Sequence, residues 1–203
     1  MSADVVIVPT GTANTASVAA AFRRLEAEPK PPKSPDEVRD ADYLVLPGVG
    51  AFGAAMAHID RHGLREILTD RINEGRPTLA ICLGMQLLGE KSDESPGVSG
   101  LGVVPEGVTR LPQDLTVPQL GWNLVAPDPL SRFLKPGWAY FANSYKLASV
   151  PDGWIGTQTE YGGDFVSAIE RGDVLACQFH PELSGAWGAD LLGRWLNGTG
   201  GRS

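Results

Sequence analysis

Apolar positions fall into two textures along this chain, and the change comes near Gly97. Before it, short apolar runs alternate with stretches whose apolar residues recur three to four positions apart. Asp4 to Val8, DVVIV, predicts a buried strand, and Ala16 to Ala27 follows with helical spacing. DYLVLPG, stopped at Pro47-Gly48, predicts a second strand. Ala51 to Asn73 then reads as helix interrupted near Gly63. RPTLAI, from Arg76, predicts a third strand, and LGMQLLGEK, from Leu83 to Lys91, a helix after it. Glu28 to Glu37, EPKPPKSPDE, carries four prolines and predicts a loop that ends near a helix or turn start. Such alternation predicts an α/β fold with a parallel sheet covered on both faces.

Beyond Gly97 the helical period stops. Stretches rich in Gly, Pro and aromatics predict strands at Gly102–Leu111, Pro118–Val125, Trp138–Tyr145, Trp154–Gly162, Phe165–Gly172 and Val174–Glu182. Pro151-Asp152-Gly153 predicts a hairpin turn among them. This half is expected to be mixed or antiparallel. Helical spacing returns at Trp187, Leu191, Leu192, Trp195 and Leu196, which predicts a closing helix over Ser184–Gly198 with one face on the sheet. No internal repeat is present, and residues 1–203 read as one domain.

Composition narrows the function. With 203 residues, 42% hydrophobic and 20% charged, the chain can bury one core. A net charge of −7 with scattered Lys and Arg argues against a nucleic-acid surface. No apolar run approaches the roughly 18 residues of a membrane span, and MSADVVIVPTG has no basic region ahead of a long apolar one. A cytoplasmic protein is expected, with Cys82 and Cys177 as free thiols.

Cys82 falls where a predicted strand turns directly into a helix, with Ala80 two residues before it and Gly84 two after. Small residues there suit a tight turn that lifts a nucleophile above the sheet edge, as in Ser-centred elbows. The helix would aim its free N–H groups and positive dipole end at the sulfur, favouring the thiolate. A buried cysteine acting as a small hydrophobe is the plainer alternative.

A cysteine nucleophile needs a base, and the chain has three histidines. His58 and His62, four apart in predicted helix, read as a partly solvated face; as a zinc pair they have no third ligand that the sequence identifies, so no metal is expected. His180 follows the run VLACQF and precedes Pro181-Glu182. Glu182 can fold back to hold the imidazole in one tautomer while the other nitrogen faces the thiol. A hydrogen-bonded structural histidine is the alternative at that position.

GVGAFG, Gly48 to Gly53, admits two readings. It matches the dinucleotide fingerprint G-x-G-x-x-G, but Asp70, the acid about 20 residues on, lies in predicted helix rather than at a strand end. The same glycines can instead bring backbone N–H groups up to a developing negative charge beside the Cys82 turn, as an oxyanion hole.

AICLGMQLL together with CQFHPE resembles the class I, triad-type glutamine amidotransferases over nearly the whole chain. Within that family LPGVGAFG, PQLGWN and YFANSY resemble the glutaminase subunits of imidazole glycerol phosphate synthases, of histidine biosynthesis. The anthranilate and GMP branches usually carry Gly-Gly-Pro-Gly in the first motif and a His before the elbow glutamine, where Met85 stands here. The resemblance implies a flavodoxin-like three-layer sandwich with a largely parallel central sheet and a mixed or antiparallel β section in the C-terminal half. It implies hydrolysis of L-glutamine to glutamate and ammonia through a thioester on Cys82, with His180 as base and acid and Glu182 as orienting carboxylate.

The resemblance further implies oxyanion donors at Leu83 and at Val49 or Gly50, substrate contacts from Gly50, Gln86, Glu94, Ser144 and Tyr145, and no cofactor. As plainer alternatives, Gln86 is a polar residue on a first helical turn and Glu94 a solvated charge. The implied partner is a separate (β/α)8 cyclase subunit that receives the ammonia, since a barrel needs about 250 residues more. Asn14, in GTANTAS, and Trp122, in GWN, match positions near the family's subunit interface, although a Trp beside Gly is by default core packing. Two departures bear on that interface: Leu183 follows HPE where a lysine is common, and Asn143 precedes Ser144 where a histidine is common. A free-standing glutaminase or γ-glutamyl hydrolase is the alternative, as is a non-enzymatic sensor or binding domain built around Cys82. Cys177, in mid-strand, reads as buried and inert.

Overall fold

The structure, a computed structural model, describes residues 3–11, 14–112 and 114–199. β1 (Asp4–Ile7) leads into α1 (Thr15–Arg24), which starts where the Asn14 side chain accepts the Ser17 N–H at 3.3 Å. The proline-rich stretch is not the continuous loop its composition predicts. β2 (Glu28–Lys30) pairs with β1, and α2 (Pro35–Asp40) starts from a Ser34 cap with Pro35 in the first helical position. β2 is the sheet edge and needs ladder bonds on one side only, where a proline such as Pro29 is tolerated.

β3 (Tyr43–Gly48) follows, and the helix expected over 51–73 is split into α3 (Phe52–Arg61) and α4 (Arg65–Asn73) by Gly63 at φ +65°. β4 (Thr78–Cys82) passes directly into α5 (Leu83–Leu87), which stops after five residues instead of reaching Lys91. Gly89 closes it: a Cβ there would lie 2.8 Å from the Glu106 carbonyl, so the chain turns away into β5 (Lys91–Ser92).

The second half is β-rich, with shorter pieces than expected. β6 (Gly107–Arg110) is all that forms of the 102–111 segment, and β7 (Gln119–Pro127) pairs along its length with β8 (Gly137–Asn143). The 138–145 stretch breaks at Ser144, because β9 (Tyr145–Leu147) leaves β7 to pair with β6. Pro151-Asp152-Gly153 does turn, with the Trp154 N–H donating to the Pro151 carbonyl at 3.1 Å. It is not a hairpin, since β9 and the next strand, β10 (Ile155–Glu160), are not neighbours. β11 (Asp164–Arg171) and β12 (Val174–Cys177) come next, β12 ending five residues before Glu182. Pro181 then begins a single 3-10 turn, Pro181–Leu183, and α6 (Gly185–Gly198) closes the chain's described part.

The strands lie in the order β2-β1-β3-β4-β12-β11-β10-β7-β8. The first five are mutually parallel and the rest of the path is antiparallel, as the two textures predict. α1 and α6 cover one face through Phe22, Leu191 and Trp195; α2 to α5 cover the other through Val38, Met56, Leu68 and Met85. Helices, sheet and helices thus make the three layers that were expected. What matters for chemistry is that β12, late in the chain, inserts beside β4 in register, Cys177 opposite Ile81. Two segments almost a hundred residues apart thereby end at the same sheet edge. Among the described residues no helix is long and apolar enough to cross a membrane.

Candidate active site

Cys82 ends β4 with φ +54° and ψ −109°, a conformation costly for any residue with a Cβ. The close approach of neighbouring backbone holds it there. A Cβ on Gly84 would lie 1.9 Å from the Leu46 carbonyl oxygen, and one on Gly48 would lie 2.7 Å from Leu83 Cβ. The glycines thus let α5 press against the end of β3, and the turn that results brings Cys82 out at the sheet edge. The dipole of a five-residue helix is small, so less of the sulfur's environment comes from α5 than a longer helix would supply.

His180 reaches the same edge from β12. Its N–H donates to the Tyr140 carbonyl at 2.9 Å, and its carbonyl accepts the Ser184 hydroxyl at 2.6 Å, so the backbone is held on both sides. The imidazole Nδ1 donates to Glu182 Oε1 at 2.8 Å, both side chains being almost fully buried. Glu182 Oε2 has no hydrogen-bond partner among the described residues, which leaves the imidazole as the carboxylate's main contact. Burial opposes the imidazolium, but hydrogen bonds with Cys82 and Glu182 and their negative charges outweigh it and hold the His180 pKa up to about 10. Cys177, wholly buried, has its thiol pushed well above the ordinary range by desolvation and then by the charges of Glu182 and Cys82. It is the inert cysteine of the pair.

Between these groups lies a cavity of about 280 Å³. Cys82 and His180 line it together with Val49, Gly50 and Leu83, the expected oxyanion donors. Gln86, Glu94, Ser144 and Tyr145, the expected substrate contacts, line it too, as does Asn143. Larger depressions, of about 620 Å³ beside α6 and about 500 Å³ beside Trp154, contain neither thiol nor imidazole, so size does not select the site. The volume falls just under the ~300–1,000 Å³ of pockets for drug-sized ligands and suits a free amino acid. Gly50 adopts φ +93°, which favours glycine, and its loop faces the cavity rather than an exposed nucleotide groove. Asp70 is exposed on α4, away from any strand end.

Glu94 is neither fully solvated nor dedicated to the cavity. Its Oε2 accepts the Phe52 N–H at 2.6 Å, and Ser95 Oγ accepts the Gly53 N–H at 3.0 Å. The pair caps α3 just behind the Gly48–Gly50 loop. Gln86 is buried, its Nε2 donating to the Tyr145 carbonyl and to Gln178. Gln178, Ser95, Ser184 and Tyr140 escaped the sequence reading; for Gln178 the one available signal was its place within CQFHPE. His58 and His62 stack on each other, ring centroids 4.2 Å apart, outside this cavity.

Trp122 is not core packing: it is 54% exposed, because among the described residues nothing covers the outer side of β7. Leu120, Leu124 and Trp138 share that face, with Tyr140 edge-on to Trp122 at 6.1 Å. Trp122 approaches Gly185, and Leu183 stands exposed on the intervening turn, so the apolar face adjoins the His180 segment. Asn14 is exposed at the start of α1, beyond the carboxyl end of β1 and so on the same sheet edge as Cys82.

The family model of class-I glutamine amidotransferases matches residues 6–194. A relative from Symbiobacterium thermophilum, "Imidazole glycerol phosphate synthase subunit HisH", is 44% identical over 95% of this chain and 93% of its own. "Imidazole glycerol phosphate synthase hisHF, chloroplastic", from Arabidopsis thaliana, is 39% identical over 95% of this chain and 34% of its own length. Among solved structures, one described as a glutamine amidotransferase superposes with a TM-score of 0.76 at 21% identity, covering 95% of this chain and 97% of that one. That is a likeness of fold, the three-layer flavodoxin-like arrangement.

Proposed function

The chain belongs to the class I glutamine amidotransferase family, and on that premise we propose that it is the glutaminase subunit of an imidazole glycerol phosphate synthase, working in the cytoplasm with Cys82, His180 and Glu182 as its triad. The observation that carries the reading is the buried His180, hydrogen-bonded to Glu182 and lining with Cys82 a cavity of about 280 Å³. With the imidazolium holding its proton, Cys82 enters as thiolate and attacks the side-chain carbonyl carbon of glutamine. The carbonyl electron pair moves to oxygen, where N–H groups of Leu83 and of Val49 or Gly50 receive the charge. Each such donor is typically worth about 10²–10³ in rate. Collapse breaks the C–N bond as His180 passes its proton to the departing nitrogen, giving ammonia and a Cys82 thioester. Water, deprotonated by His180, then cleaves the thioester to glutamate and restores the thiolate pair.

Gly50, Gln86, Glu94, Ser144 and Tyr145 would hold the rest of the substrate. The face of Leu120, Trp122, Leu124, Trp138 and Leu183, with Asn14 along the edge, would seat the cyclase subunit, an apolar surface of the sort that association covers. A relative longer than this chain, in which its match spans about a third, fits a glutaminase joined to such a partner. The test is glutamate release from glutamine by the purified chain, alone and with a cyclase subunit and its nucleotide substrate. Strong stimulation by the partner is expected. High activity unaffected by partner would point to a free-standing hydrolase, and none under either condition would overturn the enzymatic reading.

A further inference from the structure

We propose that Gln178 is a positioning residue for the Cys82 sulfur and that Gln86 aims it. The proposal rests on the reading of Cys82 as nucleophile. Gln178 is fully buried just past the end of β12, its backbone N–H donating to the Ser167 carbonyl at 2.8 Å. Its Nε2 lies 3.5 Å from Cys82 Sγ and its Oε1 3.0 Å from Gln86 Nε2.

A carboxamide can in general be turned either way, since its oxygen and nitrogen have the same shape. Here the neighbours decide. The Tyr145 carbonyl, 3.1 Å from Gln86, can only accept, so the Gln86 atom facing it is the nitrogen. That same nitrogen faces Gln178, which must answer with its oxygen. The remaining Gln178 group, the NH2, therefore points at the sulfur. Both Gln86 N–H bonds are used in this relay, which leaves its oxygen for a bound ligand. A thiolate is a far better hydrogen-bond acceptor than a thiol, so a fixed N–H at the sulfur favours the ionised, attacking form and restrains its rotation.

The experiment follows alkylation of Cys82 by iodoacetamide across pH in the full chain, together with glutamine kinetics. Peptide mass spectrometry reads the label at Cys82 separately from any at Cys177. Gln178→Met keeps volume and removes the donor. Its alkylation profile should move up by about one pH unit, which corresponds to tenfold less thiolate at a given pH. kcat should fall about tenfold with KM within about twofold. Gln86→Glu can only accept where Gln86 donates, turns the Gln178 amide around, and should move the profile the same way. That second variant carries the test if Gln178→Met does not fold. A wild-type profile in folded Gln178→Met, or a change confined to KM or to thermal stability, overturns the proposal. Because alkylation needs no glutamine, a chain that hydrolyses none but shows the shifts would refute the proposed function and keep the relay.

Discussion

Cys82 combines a left-handed backbone with a side chain bounded by His180 and Gln178, and each of these has a separate energetic consequence. The backbone conformation costs about 1–3 kcal/mol, which packing around the elbow offsets. Cys82→Ala keeps that packing, so it should abolish glutamine hydrolysis while leaving the unfolding midpoint within a few degrees of wild type; residual turnover would sink the nucleophile assignment. His180 is raised to about 10, so its proton is retained through neutral pH and lost only as pH climbs toward that value. The alkaline limb of kcat/KM, which reports the free protein, should accordingly fall near pH 10 rather than near 6.5. Glu182→Gln removes one of the charges that raise it, and the limb should shift to lower pH with a rate loss of about 10²-fold or more. A limb that stays in place would show that Glu182 does not act on the imidazole. This pair was legible in HPE because two residues along the chain can meet without any knowledge of the fold.

The elbow is a property of elements rather than of the cysteine. α5 meets β3 through Gly84, where a Cβ has no room beside the Leu46 carbonyl. Gly84→Ala should therefore force the helix outward, costing about 1–3 kcal/mol in urea unfolding and most of the activity; a stable, active variant would refute the close approach as the cause of the turn. The strand–helix alternation of the first half was readable because burial imprints a period on the sequence. β2 was hidden because its prolines signal a loop, while an edge strand accepts them. α5 was overextended because Glu90 and Lys91 after Gly89 are compatible with helix, and nothing local reveals the Glu106 carbonyl waiting at Gly89. The 138–145 stretch shows the same limit: Asn143-Ser144 interrupts its apolar residues without saying that β8 and β9 belong to different partners.

Across the molecule, the apolar outer face of β7 and β8 lies next to the His180 segment, so a partner subunit seated there would sit close to His180. Trp122→Ala should raise the Kd for the cyclase subunit about tenfold or more in a titration, as truncation of a central interface aromatic does. Unchanged affinity would remove this face from the interface. Trp122 was open to two readings in the sequence, since β-strand spacing tells that Leu120, Trp122 and Leu124 share a side but not whether a layer covers it.

Local chemistry along the chain determined much: the cysteine at a strand-to-helix turn, the histidine with its carboxylate two residues on, and the two textures that become parallel and antiparallel sheet. These depend on neighbours in sequence, and a period or a spacing records them. The meeting of Cys82 with His180 and Gln178 depends instead on β12 inserting beside β4, and the exposed face around Trp122 on β7 and β8 lying at the end of the sheet. Hydrophobic patterning states which side of an element avoids water but not which distant element will cover it. Those contacts are set by packing of the assembled layers, and they exist only once the chain has folded.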